Sequence, residues 1–257
     1  ANRRLDQWLK FETDGSVTIY TGKVEIGQGV VTAMAQIAAE ELDVQLSKIR
    51  MISGDTGQTP NEGMTAGSQS IENSGLALRL AGAEVRSILV DLAAKKLGVE
   101  ASALKVADGT ITAADGRKVT YSELAAETDL KREATAKVAP KNPSTHTIVG
   151  KPIERLDIPA KVFGGSIYVQ DMRPQGMVHG RVVRPPRAGS TLESFDEAGA
   201  KKIPGVIAVV RDGSFLGVVA EREEQAIKAR EALIKSAKWK LGPELPDPNN
   251  LYAHLKS

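Results

Sequence analysis

Gly22-Lys23-Val24-Glu25-Ile26-Gly27-Gln28-Gly29 runs straight into a helical apolar pattern over residues 30–42, marked by Val31, Met34, Ala38 and Leu42. Residues 16–21 lead into it with the alternation Val17, Ile19, Thr21 expected of a strand. The reading is therefore strand, tight glycine turn, helix. Glycines allow a ligand to approach the main chain closely, and the first turn of a helix presents N–H groups that favour an anionic group. Those N–H groups are expected to be bare and outward-facing. Gln28 adds an amide that can both donate and accept. A second loop, Thr65-Ala66-Gly67-Ser68-Gln69-Ser70, offers small residues, hydroxyls and another amide before a second helical pattern through Leu76, Leu80, Ala83, Val85, Ile88, Leu89 and Leu92. Together the two loops predict one shared polar site.

The 257 residues suffice for two ordinary domains, with 41% hydrophobic and 26% charged residues, a globular composition. A net charge of +2 and 4% aromatic content give no basic, base-stacking surface, so no nucleic-acid partner is expected. The absence of cysteine excludes disulfides, thiolate metal sites and a cysteine nucleophile within this sequence. No apolar run is long enough for a membrane span. Arg3-Arg4 is followed by Leu5-Asp6-Gln7-Trp8, which is not an apolar signal core, so the pair is expected as surface charge.

Beyond the two loops, Asp108-Gly109 predicts a hairpin turn, and Thr120 with Glu123 has capping-box spacing for a short helix at 121–127. Residues 131–146 lack periodicity, and Pro140-Lys141-Asn142-Pro143-Ser144 within them is expected as a domain linker. From there short strands are expected at 166–169, 177–183, 206–210 and 216–220, with helices at 192–201 and 223–236. The fold class is α+β: a first domain at 1–130, the linker at 131–146, a second domain at 147–240, and an extended, proline-rich tail at 241–257.

The strings Val24-Glu25-Ile26-Gly27-Gln28-Gly29, Ala38-Ala39-Glu40-Glu41-Leu42, Gly54-Asp55-Thr56 and Thr65-Ala66-Gly67-Ser68 resemble the molybdopterin-binding subunit of the xanthine oxidase and aldehyde oxidase family. The bacterial branch containing isoquinoline oxidoreductase and nicotinate dehydrogenase is the nearest likeness. Gly150-Lys151-Pro152, Arg155-Leu156-Asp157-Ile158-Pro159, Gly176-Met177, His179-Gly180-Arg181, Arg184-Pro185-Pro186 and Pro204-Gly205-Val206 resemble that family's α/β hammerhead domain. The resemblance implies a partial molybdopterin-binding domain at 1–130 followed by the hammerhead at 147–240. This order is the permuted one of the bacterial branch. It further implies that Gly27, Gln28, Gly67, Ser68 and Ser70 contact the molybdenum cofactor, whose cytosine dinucleotide form is one option.

The implied reaction is hydroxylation of an N-heteroaromatic ring or oxidation of an aldehyde. Water supplies the oxygen, and electrons pass to iron–sulfur clusters on a partner subunit. Other implied partners are the remainder of the molybdenum subunit and a cytochrome c acceptor. The compartment is open between bacterial cytoplasm and periplasm, including peripheral attachment at the inner membrane. The family's base lies in a Gly-x-Gly-Glu segment that does not occur here, so no catalytic residue is assigned and the chain is expected to be inactive alone, as a fragment or split subunit.

Other features have ordinary explanations. Glu25 is expected as a solvated strand glutamate, Gly54-Asp55-Thr56 as a solvent loop, and His179 as a structural histidine. Three scattered histidines make no metal site. Arg181, Arg184 and Arg187 read as a surface or domain contact. A different class of reading is a non-catalytic assembly module that keeps the fold without the cofactor.

Overall fold

The expected strand, turn and helix are all present: Val17–Thr21 is a strand, and Val30–Leu42 is a helix entered through Gly29 at a φ of 81°. The computed structural model describes residues 3–165 and 168–257. Two compact units divide at Ser166 and Ile167.

The first unit contains β1 (Leu9–Phe11), β2 (Val17–Thr21), α1 (Val30–Leu42), β3 (Ile49–Ser53), α2 (Leu76–Leu97), β4 (Lys105–Ala107), β5 (Thr110–Thr112), β6 (Lys118–Thr120), α3 (Tyr121–Ala126) and α4 (Ile158–Val162). β1 pairs antiparallel with β2, and β2 pairs parallel with β3 from Val17 opposite Ile49 to Thr21 opposite Ser53. The crossover between the parallel strands is α1, as a parallel pair requires. β4, β5 and β6 form a second, antiparallel sheet around the Asp108-Gly109 turn. Thr120 and Glu123 form the expected capping box of α3. Leu5, Leu9, Ile19, Met34, Leu42, Leu89 and Leu124 are among the fully buried side chains that close the core.

The stretch 131–146, expected as a linker, is instead tied into this unit. Glu84, buried in α2, accepts the N–H groups of Thr135 and Ala136. Glu41 accepts that of Lys141, and the Lys141 ammonium pairs with Asp43. Glu40 accepts from Thr147, Ile148 and Val149, Gln36 donates to the carbonyls of Ile148 and Lys151, and the Thr32 hydroxyl accepts from Leu156. Positions 40, 36 and 32 share one face of α1. The segment is therefore a strap: Arg132 and Ala134 exchange backbone bonds with Leu5 and Arg3, and from Thr135 onward its backbone is met largely by side chains of α1 and α2 rather than by a ladder. That is why it carries no period.

The second unit contains β7 (His179–Val183), β8 (Thr191–Ser194), α5 (Glu197–Lys201), β9 (Val206–Asp212), β10 (Phe215–Ala220), α6 (Glu223–Ser236), β11 (Lys238–Lys240) and α7 (Leu251–Lys256). Its main sheet has the order β7-β10-β9, and β11 pairs with β8. Val183, Leu192, Leu216, Val218, Ala229 and Leu233 form its core.

Three expectations differ here. Of the strand expected at 166–169, residues 166 and 167 lie outside the described residues. Val169 starts a short 3-10 turn in which Asp171 accepts the N–H of Tyr168. The helix expected at 192–201 begins only at Glu197, where Asp196 caps it, because Leu192 is drawn into a strand opposite Trp239. The tail expected as extended ends in α7, preceded by a turn in which Asp247 accepts from Asn249 and Pro248 occupies the first position. Among the described residues no helix is long and apolar enough to cross a membrane.

Candidate functional site

The two polar loops are joined at their bases. A side chain on Gly22 would run into the carbonyl oxygen of Pro60, so the chains approach there as only glycine allows. Glu62 Oε2 accepts from the Gly22 N–H at 2.6 Å and from the Thr21 hydroxyl at 2.8 Å. Lys23 is 1% exposed, and its ammonium donates to the carbonyls of Glu62 and Met64, each at 2.8 Å. The Val24 N–H then donates to Thr65 Oγ1 at 2.9 Å. A buried lysine thus clamps the second loop to the first, with its charge met by two carbonyl dipoles.

Above this base the Gly27-Gln28-Gly29 turn is built around Glu25. Its Oε1 accepts from the N–H groups of Gly27 (2.8 Å) and Gly29 (2.9 Å), and its Oε2 from that of Val31 (3.3 Å). Of the helix N–H groups expected to be bare, that of Val31 is taken, as are those of Gly27 and Gly29 in the turn, and the anion at this helix terminus is the chain's own carboxylate. Glu25 is a loop brace with a side chain 11% exposed, not a solvated strand residue. Burial pushes its pKa up, but the bonds from Gly29, Gly27 and Val31, with Arg155 nearby, outweigh this and hold it below the usual range.

Gln28 also folds back. Its Nε2 donates to the Val24 carbonyl at 3.0 Å and its Oε1 accepts from the Ile26 N–H at 2.7 Å. Each end of the amide keeps capacity for one further bond. Gly27, with a φ of 110°, has nothing within 4 Å of where a side chain would begin, so its backbone faces open space.

In the second loop Gly67 and Ser68 both take the left-handed conformation, with φ of 64° and 59°. Ser70 opens a π-helical turn, Ser70–Gly75, that leads into α2. The hydroxyls of Ser68 and Ser70 have no hydrogen-bond partner among the described residues. Val24, Ile26 and Met64 leave large apolar surface exposed on the same two loops. Open glycine backbone, unpartnered hydroxyls and exposed apolar side chains suit a flat heterocycle with a polar edge, so these residues fit a pterin.

Arg155 was missed by sequence reasoning as a member of this region. It donates from Nη1 to the Gly27 carbonyl at 2.7 Å and from Nη2 to Glu25 at 3.3 Å. The only sequence signal is Asp157 two positions on, which the guanidinium grips through Nε at 3.0 Å and Nη2 at 2.7 Å.

Gly54 borders the first loop: its N–H donates to the Thr21 carbonyl at 2.9 Å, and a side chain there would meet Val24. Asp55 next to it turns to solvent and accepts from the Gly57 N–H at 2.8 Å. His179 is half-buried on β7, and no group of histidines and carboxylates suited to a metal ion occurs among the described residues. Arg181 pairs with Glu223, and Arg187 donates to the Gly242 carbonyl.

Sequence comparison places these loops in a family. Residues 2–154 match the molybdopterin cofactor-binding domain. The chain is 39% identical to a nicotinate dehydrogenase subunit of Pseudomonas putida over 95% of its own length and 21% of that protein's. It is 33% identical to a membrane-bound aldehyde dehydrogenase (pyrroloquinoline-quinone) of Gluconacetobacter polyoxogenes, over 88% of this chain and 31% of the relative. Against the beta subunit of isoquinoline 1-oxidoreductase of Brevundimonas diminuta the identity is 29%, over 92% of this chain and 35% of the relative. The chain thus spans between 21% and 35% of the length of these relatives. With more than half of its residues matched, the chain belongs to the molybdopterin cofactor-binding domain family.

Proposed function

We propose that this chain supplies part of the molybdenum cofactor site of a molybdenum hydroxylase. The reaction is hydroxylation of an N-heteroaromatic ring or oxidation of an aldehyde with water as oxygen source, and electrons leave through iron–sulfur clusters on a partner subunit. The observation that carries the reading is the clamped pair of loops, which leaves open space beside the Gly27 Cα and the Ser68 and Ser70 hydroxyls without partners among the described residues.

In this reading Gly27 and Gly67 allow close approach of the pterin or its phosphate arm, including that of a cytosine dinucleotide form. Gln28 uses the remaining donor and acceptor of its amide, and Ser68 and Ser70 donate from their hydroxyls. When bound, the cofactor supplies the two-electron redox centre and the electrophilic metal. The second unit is read as the hammerhead domain. Compartment and the cytochrome c acceptor follow only from likeness to the bacterial branch.

The test is the complete enzyme carrying Gln28→Ala or Gly27→Val. Molybdenum and pterin content per protein should fall, by about fivefold for the loss of one amide contact. Full occupancy with unchanged turnover in both variants would overturn the assignment. So would pyrroloquinoline quinone, without molybdenum, in the wild-type enzyme. We further expect this chain by itself to bind no molybdenum cofactor and to have no hydroxylase activity. A cofactor-loaded, active preparation of residues 1–257 alone is the result that contradicts this.

A further inference from the structure

The Gly27-Gln28-Gly29 turn is held on one side by Glu25 and on the other by a residue beyond the family match. Arg155 reaches the turn because its own backbone is anchored: the Leu156 N–H donates to Thr32 Oγ1, in the first turn of α1, at 3.0 Å. The aliphatic part of Arg155 lies over Gly29, with its Cδ 3.6 Å from where a side chain would start. Its guanidinium is oriented by a two-point grip on Asp157, whose Oδ2 also receives the Lys161 ammonium. One Nη donor then meets the Gly27 carbonyl at 2.7 Å.

That carbonyl belongs to the peptide unit whose N–H is that of Gln28. A peptide is planar and trans, so fixing the oxygen aims the N–H in the opposite direction. The Gln28 N–H has no partner among the described residues and sits on an exposed residue. The remaining N–H groups of the turn, at Gly27 and Gly29, are consumed by Glu25.

We infer that Arg155 is a positioning residue for this loop: by holding the Gly27 carbonyl and the Glu25 carboxylate, it fixes the Gln28 peptide with its N–H presented to an acceptor atom of the ligand. This deepens the cofactor reading and rests on it for the ligand's identity, but not for the geometry of the turn. Arginine is the residue type for the task, since its planar fork serves Asp157, Glu25 and a carbonyl at once, whereas a lysine ammonium has no fixed plane.

The experiment uses the full-length protein with its partner subunits, as wild type, Arg155→Lys, Arg155→Ala and Asp157→Asn. Hydrogen exchange is followed by mass spectrometry on a peptide covering residues 24–32, alongside molybdenum and pterin content and the thermal midpoint. In R155A the exchange of the Gly27 and Gly29 amides should quicken about tenfold, the expected loss of a charge-assisted contact. R155K should restore part of the protection, and D157N should give a smaller change in the same direction. Cofactor content should fall in the same order while the thermal midpoint stays near that of wild type. Unchanged exchange at 24–32 in R155A overturns the inference. If R155A does not fold, unchanged exchange in both R155K and D157N does so. Wild-type enzyme without pterin would defeat the cofactor reading alone, and the exchange rates would still decide the role of Arg155.

Discussion

Replacing Glu40 by Ala removes the acceptor on which the strap over α1 depends most. The carboxylate is 2% exposed, and its Oε2 accepts from Thr147 at 2.9 Å, Ile148 at 2.6 Å and Val149 at 3.0 Å. Lys141 stands 3.8 Å from the other oxygen. A hydrogen bond to a charged group contributes about 1.5–3 kcal/mol, but the three share one oxygen and are not additive. Thr147 is exposed and Ile148 and Val149 are half-buried, so water can take over part of the lost bonding. The net expectation for E40A is a destabilisation of about 2–4 kcal/mol, and about 1–2 kcal/mol for E40Q, which keeps one acceptor oxygen without the charge.

The pH dependence gives a second readout on the same residue. Burial pushes the Glu40 pKa up, but the N–H bonds from Ile148, Val149 and Thr147, with Lys141, bring it below the usual range. A depressed folded pKa means stabilisation that is present above the ordinary carboxylate value and is lost as pH falls through the folded value. E40Q lacks this part of the acid dependence, so the gap between E40Q and wild type should narrow as the pH is lowered. The assay is urea denaturation followed by Trp8 fluorescence in a Trp239→Phe background, with hydrogen exchange at 147–149 as the local measure. A change below about 0.5 kcal/mol in E40A, with unchanged exchange at 147–149, would refute the strap.

At the base of the site, Gly22→Ala should destabilise the first unit by about 2–3 kcal/mol or more, because the new methyl meets the Pro60 backbone oxygen and neither chain can give way easily. A denaturation midpoint equal to that of wild type would contradict the close approach. Glu25 supplies the pH signature of the turn. Its folded pKa is depressed, so protection of the Gly27 and Gly29 amides, corrected for intrinsic exchange, should hold from neutrality down past the ordinary carboxylate range and be lost only as pH falls through the lower folded value. Failure already near pH 6 would mean that the carboxylate is not braced as described.

What was legible in the sequence was what repeats locally. The period of Val31, Met34, Ala38 and Leu42 fixes α1, and the Thr120–Glu123 spacing fixes the start of α3, because both depend on contacts within a turn or two of the chain. The two loops could be picked out by composition, since glycine, serine and glutamine before a helix have few structural uses. Their internal bonding could not. Gln28 looks like a group offered to a ligand and Glu25 like a solvated strand residue, yet each first satisfies its own turn, and only three-dimensional geometry separates a group turned inward from one turned outward. The segment 131–146 misled for a related reason. Loss of periodicity signals either solvent or a backbone satisfied by another element's side chains, and Glu40, Glu41 and Glu84 supply the second case.

The strap also changes where the cofactor domain ends in energetic terms. The match to the cofactor-binding domain ends at residue 154, but the compact unit continues to Ser166. The difference is not slack. Thr32, Gln36 and Glu40 are turned toward the strap at regular intervals along α1, and each holds it by its backbone, while Ile148 and Val149 pack against the core. Two charged side chains add to this: the Lys141 ammonium pairs with Asp43 beyond the far end of α1, and the Arg155 guanidinium makes its contact at the end of α1 that borders the Gly27 turn. A strap held largely by its backbone along α1, with a guanidinium at the end that borders the turn, transmits its register to the turn through that guanidinium. The chemistry of the loop therefore depends on a residue that loop-centred reading leaves out.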